Sequence, residues 1–347
     1  MGRTPLSSHR FEEVDFASTS EETLRPVLDA TNLLNREARP RSVDLALDDL
    51  RDSAPGMIRR RFVVTGPSGQ LVGLTEGRYP DDDTSPELLL CMLRVLPRHR
   101  GKGAGRAMLE HLVELADSLG RSRLLGYYFD TVPAGKAFAD AVGAVPDIHF
   151  HESVLRLSEL DRELIEAWAR VGPDLASDYS VRVFDGEIPT TWHDDIARLF
   201  VVLERDSPSA DELEPREWSA SLVKDTLDHI LQRGDMISSL AIHNQTDTAV
   251  GISQLARRRS DPTTWQVTFT MVDPDHRGQS LGKCLKGSVN VAALEQWKGG
   301  VYQETGNAFT NEAMLAINRA MGFEHELTIT QASLPLDQAK GYLSSRP

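Results

Sequence analysis

The chain is written twice. Leu93–Ala116 reads LRVLPRHRGKGAGRAMLEHLVELA, and Thr270–Trp297 reads TMVDPDHRGQSLGKCLKGSVNVAALEQW. Both carry apolar–x–Pro–x–His–Arg–Gly–x–x–x–Gly and then an amphipathic segment. Arg100 and Arg277 occupy equivalent places 177 residues apart. That period is the size of a domain and far exceeds the ~20–50 residues of a solenoid repeat.

The flanks repeat as well. Arg59–Val64 and Leu71–Glu76 read as a hairpin around GPSGQ, and Ser238–His243 and Val250–Ala256 as another around NQTDT. A third strand follows in each half, Glu87–Val95 and Trp265–Val272, feeding the glycine-containing loop and its helix. Then come an apolar strand (Ser122–Phe129; Gly300–Thr305), a short helix ending at Gly143 or Gly322, and a closing strand. Helical segments, Ser20–Arg36 and Thr191–Arg205, open the halves. The expected class is α/β (α+β): two tandem domains, each a mixed, mostly antiparallel sheet flanked by helices and parallel around the loop helix. The repeat sets domains at 9–160 and 179–347, with 161–178 as linker.

Composition narrows the function. The 347 residues are 40% hydrophobic and 26% charged, as in globular proteins. A net charge of −14 opposes a nucleic-acid partner, which needs clustered cations. The longest apolar stretch lies around ELLLCMLRVL, too short to span a membrane. MGRTPLSSHRFEEVD holds no apolar secretion core, and Cys91 and Cys284 are the two cysteines; a cytoplasmic location is expected.

The chemistry sits in the loop Arg100-Gly101-Lys102-Gly103-Ala104-Gly105-Arg106, between a strand ending at Val95 and a helix starting near Ala104. Glycines let the backbone approach a ligand, and a helix N-terminus offers free N–H groups and partial positive charge. Such a cradle suits a pyrophosphate. A Walker loop would need Gly-Lys-Ser/Thr, and a Rossmann fingerprint would need glycine where Arg106 stands. The second copy, from Val272 through Arg277-Gly278-Gln279-Ser280-Leu281-Gly282-Lys283, has Ser280 in place of Gly103.

The spacing Arg-x-x-Gly-x-Gly after a strand and a proline resembles the acyl-CoA pyrophosphate loop of the GNAT superfamily of N-acyltransferases. Downstream, Asn307-Ala308, Asn311-x-x-Met314, Asn318 and Gly322-Phe323 resemble that superfamily's last motif. The two halves together are similar to tandem GNAT proteins of the mycothiol synthase type, over about residues 10–336. The resemblance implies acetyl-CoA as cofactor and a small-molecule amine as acceptor, attacking the thioester directly. It also implies pantetheine contact by Asn311, with Asn307 beside it.

A strand carboxylate often serves as base in that superfamily, and a tyrosine seven residues after the motif asparagine as acid. Here that position is Asn318 in the second half and Ala139 in the first. Glu87 and Glu304 are the candidate bases. The missing tyrosines leave two alternatives open, a non-catalytic CoA-binding scaffold and an acyltransferase with another donor. Tyr127 and Tyr128 read as sheet-face residues, and Cys91 and Cys284 as small core residues. His149 and His151 share a strand face, but two histidines do not make a metal site, and none is expected. The acidic runs Asp81–Asp83 and Glu204, Asp206, Glu212 and Glu214 read as solvated, with attraction of a cationic acceptor as the alternative.

Overall fold

A computed structural model describes residues 9–41, 46–82, 84–170, 172, 176–206 and 216–345. Strand β1 (Arg10–Glu13) precedes α1 (Glu21–Ala38), which opens where the Ser20 side chain accepts the Thr23 N–H. Helix α2 (Ala46–Arg51) leads to the hairpin β2 (Met57–Thr65) and β3 (Leu71–Pro80). Then follow β4 (Leu88–Val95), α3 (Ala104–Ser118), β5 (Arg123–Phe129), α4 (Pro133–Val142), β6 (Val145–Arg156) and α5 (Arg162–Trp168). The second half gives β7 (Tyr179–Asp185), α6 (His193–Arg205), α7 (Ala220–Arg233), β8 (Gly234–His243), β9 (Thr248–Arg258) and β10 (Asp261–Val272). It closes with α8 (Leu281–Gln296), β11 (Tyr302–Ala308), α9 (Glu312–Met321), β12 (Glu324–Pro335) and α10 (Leu336–Ser345). As the pattern predicts, α4 and α9 stop at left-handed Gly143 and Gly322.

Two compact units result, Met1–His149 with Leu327–Pro347, and Phe150–Glu326. The first runs β1-β2-β3-β4-β5-β12, antiparallel except at β4/β5. The second runs β6-β11-β10-β9-β8-β7, antiparallel except at β10/β11. The boundaries 9–160, 161–178 and 179–347 follow the repeat, whereas the compact units follow strand pairing. Strand β5 takes β12 as neighbour, from Ile329 opposite Phe129 to Pro335 opposite Arg123. Strand β11 takes β6, from Tyr302 opposite Arg156 to Ala308 opposite Phe150. The closing strands are thus exchanged between the halves. Nor does 161–178 act wholly as linker: α5 packs on α8, where a Cβ at Gly287 would lie 2.6 Å from Ala169 N.

The first unit's core joins Phe62, Leu89, Leu112 and Leu124 to Leu334 and Leu336 from the C-terminal segment. The second packs Leu199, Phe200, Val223 and Met236 under α6 and α7, and Trp265, Val289 and Trp297 under α8.

Candidate active site

Each unit opens a slot beside its loop. Strands β4 and β5 pair over Leu88–Cys91 and Arg123–Gly126, then part from each other and run on to Val95 and Phe129. Strands β10 and β11 pair over Thr264–Gln266 and Tyr302–Glu304, then run on to Val272 and Ala308. A bulge between Val267 and Phe269 accompanies that divergence.

The loop sits where the first strand of each pair ends. Gly101 and Gly103 take φ of 69° and 86°, with nothing within 4 Å of where a Cβ would stand. Gly103 caps α3, and among the described residues no protein acceptor takes the N–H groups of Ala104, Gly105 or Arg106. In the second unit Gly278 has φ 78° and Ser280, capping α8, has φ 58°. Ser280 therefore keeps the left-handed geometry of Gly103 at a strain of roughly 1 kcal/mol. Both loops fit a pyrophosphate through backbone donors over open space. Gly105 serves packing instead, since a Cβ there would lie 3.1 Å from the Phe138 ring.

The loop cations are otherwise engaged. Arg100 Nε donates to Val95 O at 3.0 Å, and its Nη1 and Nη2 grip Glu37 at 2.5 and 2.6 Å. Arg277 repeats this: Nε donates to Val272 O at 2.9 Å and Nη2 to Asp206. Each arginine clips its loop to the strand end and to the last turn or cap of α1 or α6. Lys102 Nζ donates to Arg98 O, Arg106 Nη2 to Leu343 O, and Lys283 Nζ lies over the Trp168 ring. Gln279 follows Gly278 in the second loop.

Asn311 caps α9, its Oδ1 accepting the Met314 N–H at 3.1 Å. Asn307 lies on β11 beyond the last pairing with β10, and its Oδ1 accepts from Asn318 Nδ2 at 2.6 Å. Glu304 is the last β11 residue paired to β10. Buried Gln303 and Thr305 flank it, so its side chain leaves the opposite face of the sheet. Glu152 of β6, a carboxylate the sequence reading missed, shares that face: a Cβ on Gly306 would meet its Oε1 at 2.4 Å.

Glu87 is not brought to a slot. It precedes β4 at the end away from the loop, and its carbonyl accepts the N–H groups of Ser122 and Arg123. On the face under α1 and α2 the first unit gathers a network of arginines and carboxylates, Asp52 among them. Glu76, 1% exposed, is held by Arg59, Arg61 and Arg78, and Arg94 donates to Asn35 Oδ1 at 2.7 Å. Arg94 stands on β4 beyond its last pairing with β5, where burial lowers its pKa.

Tyr128 packs under Gly135 of α4, while Tyr127 is exposed. Burial raises both cysteine thiols, which keeps them as inert thiols. His149 bonds Thr330 and His151 bonds His325, so the two histidines have separate partners. Glu204 accepts from Trp218 Nε1 at 2.6 Å, a structural contact. Asp81 and Asp82 are exposed, and Asp83, Glu212 and Glu214 lie outside the described residues. No helix of the described residues is long and apolar enough to cross a membrane.

Two units with split parallel strands and an uncapped, left-handed loop before the next helix make a tandem GNAT fold. Residues 27–138 match the acetyltransferase (GNAT) family, and the second unit repeats the fold of the first. A tandem GNAT protein from the clavulanic acid biosynthesis pathway superposes with a TM-score of 0.77 at 23% identity, covering 94% of this chain and 98% of that one. A GCN5-related N-acetyltransferase from Sphaerobacter thermophilus gives 0.63 at 15% identity, covering 96% and 97%. A glucosamine N-acetyltransferase region of a fungal multi-domain β-N-acetylglucosaminidase gives 0.62 at 14%, covering 94% of this chain and 38% of that one. No curated protein sequence matches the chain.

Proposed function

We propose that the protein is an acetyl-CoA-dependent N-acetyltransferase acting on the amine of a small molecule, with transfer in the second unit. One feature carries the reading: in both units a left-handed residue and an uncapped helix N-terminus stand where paired strands part. Acetyl-CoA would supply the thioester, its pyrophosphate held by backbone donors within 101–106 or 278–283. Asn307 and Asn311 stand along the second slot for the pantetheine arm.

The second unit is favoured by its charge. Glu304 and Glu152 share one sheet face at the point of divergence, which suits an incoming ammonium and gives Glu304 the base role. In the first unit, β4 beyond its last pairing with β5 carries half-buried Arg94, which does not suit an incoming ammonium. That favours a second reading for the first unit alone, a CoA-binding site that does not turn over. A cytoplasmic location accords with the two unpaired thiols.

Acetyl-CoA titration by calorimetry, with thiol release measured over a panel of small amines, tests this. Gly103→Glu should abolish the first site and Gly278→Glu the second, each by negative charge against phosphate and by strain at positive φ. Turnover should survive the first change and vanish with the second. If the intact chain binds no acetyl-CoA, the reading fails.

A further inference from the structure

Acyl transfer as described makes no use of Lys286, although it is the most deeply buried cation on α8. Its side chain is 1% exposed. Nζ donates to Asn318 Oδ1 at 2.6 Å and stands 5.5 Å from the Phe323 ring centre. Among the described residues no carboxylate pairs with it. Burying an ammonium beside neutral groups alone is costly, and a methionine would fill the space without that cost.

The contact chain runs on. A lysine ammonium has only donors to offer, so it fixes the Asn318 amide with its oxygen toward Nζ. Asn318 Nδ2 must then donate, and it does, to Asn307 Oδ1 at 2.6 Å. That turns the Asn307 amide so that its Nδ2 is left as a donor without a protein acceptor among the described residues. Asn307 lies three residues past Glu304, where β11 has parted from β10. The seam between α8 and β11 holds further unsatisfied polarity: Gln303, 0% exposed, has neither amide atom partnered, nor has Asn290 Oδ1.

We propose that Lys286 is a positioning residue of the second acyl-CoA site. Through Asn318 it holds the Asn307 amide with its N–H directed as a donor to a carbonyl of the acyl-pantetheine arm between β10 and β11. This rests on that slot being an acyl-CoA site.

The groups around Nζ make its titration readable. Helix α9 presents the Asn318 amide, with Glu312 and Arg319 exposed, and β11 presents the amides of Gln303 and Asn307. On α8 itself, Lys283 lies over Trp168, and the Cys284 thiol faces Ala169 O. Burial alone brings Lys286 down to about 7. A charged donor grips Asn318 more tightly than a neutral one, so acetyl-CoA should bind more weakly as pH rises through that value.

The test uses the full chain carrying Gly103→Glu, so that calorimetry reads the second site. At pH 6, Lys286→Met should weaken acetyl-CoA about tenfold, Asn307→Ala similarly, and the double variant no more than either alone. Between pH 6 and 8.5 the affinity of the chain with Lys286 should fall several-fold more than that of Lys286→Met. Asn318→Ala, made from the other helix, should reproduce the loss if Lys286→Met does not fold. Additive losses, or parallel pH curves, overturn the proposal and leave the acyl-CoA site standing. No binding in the Gly103→Glu chain overturns that site, and this proposal with it.

Discussion

Lys286→Met should also stabilise the second unit near neutral pH, although it removes a hydrogen bond. Burial lowers the Lys286 ammonium from 10.5 to about 7. At ~1.4 kcal/mol per unit, the gap amounts to roughly 5 kcal/mol. The unfolded chain binds that proton more tightly than the folded one. The cost is therefore complete at and below about pH 7, and fades as pH climbs toward the unfolded value. Methionine removes it but leaves Asn318 Oδ1 buried and unpaired, at about 1–3 kcal/mol. The variant should be more stable by roughly 2–4 kcal/mol at pH 6.5 and should lose that advantage by pH 9.5. All five tryptophans, Trp168, Trp192, Trp218, Trp265 and Trp297, lie in the second unit, so urea unfolding followed by tryptophan fluorescence reports that unit alone. A variant-minus-native difference that is the same at both pH values would refute the reasoning, as would a variant less stable at pH 6.5.

Three other outcomes follow from the site. Glu304→Gln should slow turnover by about 10²-fold or more while leaving acetyl-CoA affinity unchanged in calorimetry. Ser280→Gly should raise the stability of the second unit by about 0.5–1 kcal/mol in the same urea assay, because it relieves a side chain at φ 58°. Glu37→Gln should loosen the Arg100 clip, increase amide exchange over residues 96–103 and weaken acetyl-CoA several-fold at the first site, as Asp206→Asn should at the second.

The loops were legible because their information is local. Gly101, Gly103 and Gly278 need positive φ, and the residues that need it lie next to the helix they start. Helix ends at Gly143 and Gly322 were legible for the same reason. The clip was not, because Glu37 lies 63 residues from Arg100 and reads as one more charge in the last turn of an amphipathic helix. Lys286 likewise reads as a polar-face residue; its burial depends on α9, which is distant in sequence. Glu87 misled because a strand carboxylate carries no sign of which strand end meets the ligand. Strand partnership failed for a related reason: two closing strands of similar pattern suit either neighbour equally, and alternation cannot choose between them.

The exchange of closing strands also bears on how the protein is made. The first unit is interrupted after His149 and resumes at Leu327, with the whole of Phe150–Glu326 between. A ribosome finishes the second unit's chain before it supplies β12 and α10 to the first. Until Leu327–Pro347 emerge, β5 has an open edge, and the core around Phe62, Leu89 and Leu124 lacks Leu334, Leu336 and Ala339. The half translated first is therefore the half whose chain is completed last. A chain cut after Glu326 would keep every residue of the second unit and leave the first without most of β12 and all of α10.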